Sequence, residues 1–349
     1  MTVPTTTSTS VEGIDAEPTT AWMVAHVEGV TPPLRFAPIA GGHSNLTYLV
    51  VDATGRELVL RRPPLGNILS TAHDMGREHR LISALGPTDV PVPPALGLCE
   101  DPEVNGAPFY VMAFVRGAVL AFLEDGLAYP AGSRPVAADN AVEVLARLHT
   151  VDPDAVGLGD LGRKEGYVER QLKRWHAQFE QSKTRELPLE AEVHRRLSEA
   201  LPPQRYTGIV HGDYRLGNML VGPEGDVRAV LDWELATLGD TLADLGWLVS
   251  HWEEPGEEYI GLAPPSTMAP GFPTRDHVVE RYAAATGRDL SDLPYYLAFA
   301  RWRNVCILEG VLSRYKAGVM GRSDVDLDVM SRSVELHAEE AKAALDSWK

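Results

Sequence analysis

Between residues 34 and 62 short, mostly apolar runs are separated by breaks that carry turn residues. Residues 34–40, 46–52 and 57–62 therefore read as strands, joined by Gly41-Gly42-His43-Ser44-Asn45 and by Ala53-Thr54-Gly55. A helix is expected over 70–85, capped by Ser70, and a buried strand within 108–117. A helical period follows. Residues 136–150 set Leu145 and Leu148 on one helical face, and further helices are expected at 165–180, 189–200, 242–252, 274–286, 294–316 and 325–345. Thr207-Gly208-Ile209-Val210 reads as a buried strand, and residues 219–221 and 227–231 as a hairpin around the turn Gly222-Pro223-Glu224-Gly225-Asp226. Gly239-Asp240 reads as a helix start with Asp240 as its cap. No repeat of solenoid period is present. The pattern is α+β: a small antiparallel sheet with one helix, then a mainly helical lobe.

The length of 349 residues exceeds what a single core usually supports, which agrees with two lobes. The expected division is a disordered tail over 1–18, a first lobe over 19–115 and a helical lobe over 116–349. The Thr/Ser run at residues 5–10 has neither the basic leader nor the apolar core of a secretory signal. No apolar run reaches the roughly 18 residues of a spanning helix, so no membrane association is expected. The net charge of −17, spread over both lobes, argues against nucleic acid or an anionic membrane as partner. Cys99 and Cys306 are too few and too separated for a disulfide framework or metal site, so a reducing cytoplasm is the simplest compartment.

Chemistry concentrates in His211-Gly212-Asp213-Tyr214-Arg215-Leu216-Gly217-Asn218 and in Leu231-Asp232-Trp233-Glu234. An Asp, an Asn after four intervening residues and a second Asp after an apolar run is the order in which a kinase arranges its base and its metal ligands. Phosphoryl transfer asks a protein mainly for positioning and charge neutralisation. Asp213 suits the base that accepts the hydroxyl proton. Asn218 and Asp232 suit Mg²⁺, a hard cation that takes oxygen donors. The hairpin would bring those two to one end. His211 is a second candidate base, although its place beside a strand end favours bracing the loop. In the turn at 41–45, glycines, Gly42 among them, let backbone N–H groups approach phosphate oxygens, with Ser44 or Asn45 as added donors.

These segments together resemble the aminoglycoside phosphotransferase and choline kinase branch of the protein-kinase-like fold. Leu60-Arg61-Arg62-Pro63-Pro64 and Ala243-Asp244-Leu245-Gly246-Trp247 narrow the resemblance to the kinase-like domains fused to some acyl-CoA dehydrogenases and their stand-alone actinobacterial relatives. It spans about residues 22 to 320 and implies a two-lobed kinase-like fold that uses ATP and Mg²⁺ on a small-molecule hydroxyl acceptor. Residues 58–61 fall where a protein kinase has V-A-I-K. Strand parity puts Val59 and Arg61 on one face, so Val59 would cover the adenine while Arg61 reached the phosphates, with Arg62 as the alternative. Glu78 would brace Arg61 from the following helix. Met112 would wall the adenine pocket, the backbone of Ala113 and Val115 would pair with the base, and Asp244 would turn inward onto the catalytic loop. ATP is preferred over GTP on the resemblance alone.

The acceptor would lie near Asp213, lined by Tyr214, Arg215, Glu234 and the late helices. Trp302, Arg303, Arg314 and Tyr315 could touch it or simply form helix core. Glu253, Glu254, Glu257 and Glu258 would welcome a polycation, whereas the narrower resemblance points to a hydroxylated acyl thioester or another metabolite. Two other classes stay open: a catalytically silent nucleotide binder, suggested by Arg in place of Lys on the third strand, and a metal-dependent phosphoester hydrolase. The hydrolase lacks a dense His/Asp ligand set.

Overall fold

The computed structural model describes residues 11–39, 45–66, 74–261, 263–319 and 325–348. They form two units, one comprising the chain to Gly117 together with Arg228–Glu234, the other Ala118–Val227 and Leu235–Lys349. In the first, short apolar-rich runs become a five-stranded antiparallel sheet of β1 (Arg35–Pro38), β2 (Leu46–Val51), β3 (Glu57–Arg62), β4 (Ala95–Cys99) and β5 (Phe109–Ala113), ordered β1-β2-β3-β5-β4. Period-two alternation sorts β3 into two faces. Leu58 and Leu60 pack with Tyr48, Val50, Phe109 and Val111 against Met23 of α1 (Ala16–His26) and Val27 just after it. Val59 and Arg61 take the other face, in register with Met112 and Tyr110 of β5. There α2 (Met75–Leu85) packs on β4 and β5, its first turn capped by Asp74, which accepts from the Arg77 amide at 2.9 Å. Ser70, the expected cap, lies outside the described residues.

The tail expected through residue 18 needs correction. Val11 and Ile14 pack against the sheet core, the Tyr48 hydroxyl donates to the Glu12 carbonyl at 2.6 Å, and the Asp15 amide donates to Asn105 Oδ1 at 2.7 Å. Two apolar anchors directly after the polar run suffice to dock the segment, and Asn105 belongs to a one-turn helix, α3 (Pro102–Asn105). β4 escapes sequence reading because Ala95-Leu96-Gly97-Leu98-Cys99 has a glycine at its centre and no β-branched or aromatic residue, and its register slips between Ala95 and Gly97.

The second unit is mainly helical: α4 (Leu123–Ala128), α5 (Arg134–Leu148), α6 (Tyr167–Ser182), α7 (Pro188–Glu199), α8 (Leu242–Ser250), α9 (Arg275–Thr286), α10 (Leu293–Lys316) and α11 (Leu327–Ser347). Its centre is α10, which starts with Pro294 in its first turn, buries Tyr295, Phe299, Trp302 and Cys306, and packs against α6, α7, α8 and α11. Four short strands precede or interrupt these helices: β6 (Thr207–Val210), β7 (Met219–Val221), β8 (Val227–Val230) and β9 (Thr237–Asp240). The last three residues of β8 group with the first unit, where the Val230 amide donates to the Pro91 carbonyl at 2.8 Å. β6 pairs antiparallel with β9.

Gly239 and Asp240, expected to start a helix, end β9 instead. A Cβ at Gly239 would collide with the Tyr167 ring, so the glycine serves close strand packing, and α8 begins after Thr241. Among the described residues no helix is long and apolar enough to cross a membrane.

Candidate active site

The candidate residues form one cluster in each unit. In the first, parity places Arg61 beside the α2 carboxylate: Arg61 Nε lies 3.2 Å from Glu78 Oε2, and Nη2 donates to Asp232 Oδ1 at 2.7 Å. Glu78, buried, also receives Asn45 Nδ2 at 2.9 Å and the Tyr110 hydroxyl at 3.1 Å. Glu234 joins here, 3.4 Å from Asn45 Nδ2 and 4.0 Å from Arg61 Nη2. Burial works against the Arg61 charge, yet Glu78, Tyr110 and Asp232 hold its pKa above the ordinary value. Burial likewise pushes the Glu78 carboxyl up, opposed by Arg61 and the Tyr110 hydroxyl. Asp232 has φ of +65°, the left-handed backbone that few residues other than glycine adopt and that recurs at functional sites.

Arg62 points away. It donates to the Asn105 carbonyl at 2.9 Å and to the Gly13 carbonyl. Val59 and Met112 are neighbours in register and both buried. The Ala113 amide donates to the Pro94 carbonyl at 2.9 Å, which commits that donor within the protein and leaves it unable to serve a base; Val115 is half-buried just beyond β5. Gly42 and Ser44 lie outside the described residues.

In the second unit, the loop after β6 carries the other candidates. Gly212 takes φ of +86°, and its sharp turn presents two successive amides to one carboxylate: Asp244 accepts from His211 N at 2.6 Å and Gly212 N at 2.8 Å. Asp244 is buried on α8 and also meets His149 Nε2 at 3.4 Å, so it points inward. His211 is fully buried and its Nδ1 accepts the Asp213 amide at 3.2 Å, a bracing contact. Asp213 receives Asn218 Nδ2 on Oδ2 and Trp247 Nε1 on Oδ1, each at 2.7 Å, and Arg215 Nε lies 3.4 Å from Oδ1. Burial would raise the Asp213 pKa, but Arg215, His251, His211 and Arg303 outweigh it and hold the carboxyl below its usual range.

Beside this loop opens a cavity of about 300 Å³ lined by Arg215 and Gly217 of the loop, His251 and Trp252 after α8, and Arg301 and Asn304 of α10. That volume reaches the lower end of the range for small-molecule sites. Burial is the largest influence on His251, which lines this cavity, and pushes its pKa down, against the Trp247 carbonyl and Asp213, which raise it. Tyr214, expected on the acceptor wall, is instead fully buried with its hydroxyl on the Ala141 carbonyl at 2.7 Å. Trp302 is core, donating to Glu190 at 2.9 Å. The acidic loop is largely internally compensated: Arg275 meets Glu257 at 2.6 Å and Glu254 at 3.7 Å, and Arg301 meets Glu253 at 3.1 Å.

Sequence reasoning missed Tyr110 and Trp247. Tyr110 stands opposite Arg61 in the strand register, and Trp247 follows Asp244 by three residues, the helical spacing that shares a face. The second signal is readable in the sequence, whereas the first depends on how β3 and β5 pair.

Asn218 spends Nδ2 on the Asp213 carbonyl and carboxylate, so its Oδ1 is not used in that contact. In the first unit Glu78, Asp232 and Glu234 gather around Arg61, so carboxylate charge exceeds cationic charge. Carboxylate oxygen is the donor type that a hard divalent cation takes, but these three carboxylates are ranged around Arg61 rather than placed together to hold an ion. Among the described residues no three or more His, Cys, Asp or Glu side chains converge as a metal site.

Residues 35–296 match the Phosphotransferase enzyme family. Acyl-CoA dehydrogenase family member 10 of Mus musculus is 36% identical over 293 residues, covering 82% of this chain but 27% of that protein, so the chain spans about a quarter of this curated relative. A crystal structure from Ralstonia eutropha JMP134, named for the aminoglycoside phosphotransferases, superposes with a TM-score of 0.80 at 37% identity over 95% of this chain and 99% of its own. The aminoglycoside phosphotransferase APH(4)-Ia, solved as a ternary complex with AMP-PNP and hygromycin B, shares the fold at a TM-score of 0.59 and 16% identity, over 94% of this chain and 98% of that one. The chain belongs to the Phosphotransferase enzyme family and has its kinase-like fold, with an antiparallel-sheet lobe and a helical lobe.

Proposed function

We propose that the protein transfers the γ-phosphate of ATP to a hydroxyl of a small molecule, with Asp213 as the base. The observation that carries this is the setting of Asp213: each carboxylate oxygen receives one donor, and the loop that carries it walls a cavity of ligand size. In the proposed step Asp213 orients the acceptor hydroxyl and takes its proton as the oxygen bonds to the γ-phosphorus and ADP leaves. Arg61, braced by Glu78, would offset phosphate charge, and Val59 and Met112 would cover the base. Asn218 and Asp232 would hold Mg²⁺, which when bound neutralises charge on the phosphate oxygens. AMP-PNP in the structurally similar APH(4)-Ia supports a nucleotide of this kind.

The internal pairing of the acidic loop favours an acceptor that is not a polycation, so a hydroxylated metabolite, including a hydroxyacyl thioester, is preferred over an aminoglycoside. Two free, buried cysteines, Cys99 and Cys306, are consistent with a reducing compartment such as the cytoplasm. An acceptor screen following ADP release over alcohols, amino sugars and hydroxyacyl thioesters tests the proposal. No release above the ATP-only rate with any of them, at saturating ATP and Mg²⁺, would favour a silent nucleotide binder.

A further inference from the structure

Arg303 of α10 is buried without a carboxylate partner within salt-bridge distance among the described residues. Its guanidinium instead lies between two indoles, 4.1 Å from the Trp247 ring centroid and 5.0 Å from that of Trp175 on α6. A cation against aromatic faces, out of water, is an attractive arrangement that can replace part of a lost carboxylate. Nη1 of Arg303 donates to the Gly212 carbonyl at 2.7 Å, immediately before Asp213 in the chain. The Trp247 indole therefore has its face on Arg303 and its N–H on Asp213 Oδ1. Indole nitrogen donates and does not accept, so this bond has a fixed direction and cannot carry a proton away from the carboxylate. Asn218 fixes the other oxygen from the opposite end of the loop.

We propose that Trp247 is a positioning residue for the reaction: its indole N–H sets the rotation of the Asp213 carboxylate, and Arg303, clamped between Trp175 and Trp247, sets the position of the indole and of the loop backbone together. This rests on Asp213 acting as the base. Asp244 supports the loop through its amides, whereas Trp247 acts on the carboxylate itself. The two contacts come from one turn of α8, so the helix fixes backbone and side chain in a common frame.

The test uses Trp247→Phe, which keeps an aromatic face for Arg303 and removes the N–H. The intact chain is assayed with Mg·ATP and water as acceptor. kcat should fall about tenfold to a hundredfold, the scale of one charge-assisted hydrogen bond, with KM for ATP within about twofold. Asp213→Ala should also be slow, and adding Trp247→Phe to it should cost nothing further. Additive losses would mean that Trp247 acts by a general structural route and overturn the inference. An activity-independent arm follows the Trp247 indole proton by NMR, assigned by its disappearance in Trp247→Phe. That resonance should move in Asp213→Ala; an unmoved resonance removes the hydrogen bond on which everything here depends. A moved resonance with full turnover in Asp213→Ala would reject Asp213 as base and, with it, the positioning role, while leaving the contact intact.

Discussion

Arg61 Nη2 lies 2.7 Å from Asp232 Oδ1, while its Nε faces Glu78 at 3.2 Å. One guanidinium thus links the α2 carboxylate to the carboxylate proposed to hold metal. Planar Arg can address two acceptors at once where the point charge of Lys cannot. In this arrangement Arg61 serves as the local counter-charge, and a cation plus phosphates would take over part of that partnership. The neighbouring Arg62 spends its donors on the Gly13 and Asn105 carbonyls.

Arg61→Ala should accordingly weaken ATP binding by about 1.5–3 kcal/mol, the range for a hydrogen bond to a charged group. Arg61→Lys should recover part of that. Arg62→Ala should leave ATP affinity nearly unchanged and lower the melting temperature, because it strips two backbone carbonyls of their donor. Calorimetric titration and thermal unfolding separate the two arginines; a larger affinity loss at Arg62 would reverse the assignment.

Asp213→Ala should lower kcat by about two to four orders of magnitude, the span for a positioned base, with ATP affinity little changed. Steady-state ADP release with an acceptor from the screen, paired with ATP titration, measures both. Retained turnover would end the assignment.

For Asp232→Ala the expected loss is in metal dependence. ATP binding should no longer tighten on addition of Mg²⁺, as read by titration with and without the ion. The change also removes the left-handed Asp, a conformation Ala adopts poorly, so Asp232→Gly is the companion that relieves backbone strain while still lacking the ligand. Unaltered Mg²⁺ tightening in both variants would place the ligand elsewhere.

The first lobe was legible because β2 and β3 are short runs rich in aliphatic, aromatic and β-branched residues bounded by turns that carry Asp, Thr and Gly, and strand parity within β3 then gives the face of Arg61. Most helices of the second lobe were legible from their period, with ends shifted by a few residues. What failed had specific causes. Val11 and Ile14 are only two apolar residues beside a polar run, too short for a periodic signal, and β4 has a glycine at its centre and no β-branched or aromatic residue. Gly239 looked like a helix boundary, yet its lack of a side chain answers to the Tyr167 ring, a contact between residues far apart in the chain. Tyr214 looked like a site residue by adjacency to Asp213, but the turn at Gly212 sends successive side chains in different directions, and Tyr214 goes into the core. Adjacency located the loop; it did not sort which side chains the loop presents.

Asp240 offers a pH test away from the proposed chemistry. It is buried at the end of β9, accepts a hydrogen bond from the Tyr296 hydroxyl and another from the Leu242 amide at 3.2 Å, and has Arg288 and Asp292 in its field. Burial is the largest influence and raises its pKa from 3.8 to about 6, against the lowering effects of Tyr296, Leu242 and Arg288. A pKa raised on folding means that the native state favours the protonated form. The corresponding stability is fully present below the unfolded value of 3.8 and is lost as pH rises through about 6. A shift of this size corresponds to about 3 kcal/mol. Asp240→Asn keeps an acceptor for Tyr296 and has no charge to bury. Urea unfolding at pH 4 and pH 7.5 should therefore show the wild type losing about 2–3 kcal/mol relative to the variant between the two conditions. Parallel stability changes in the two proteins would mean that Asp240 ionises as easily in the native state as in the unfolded chain.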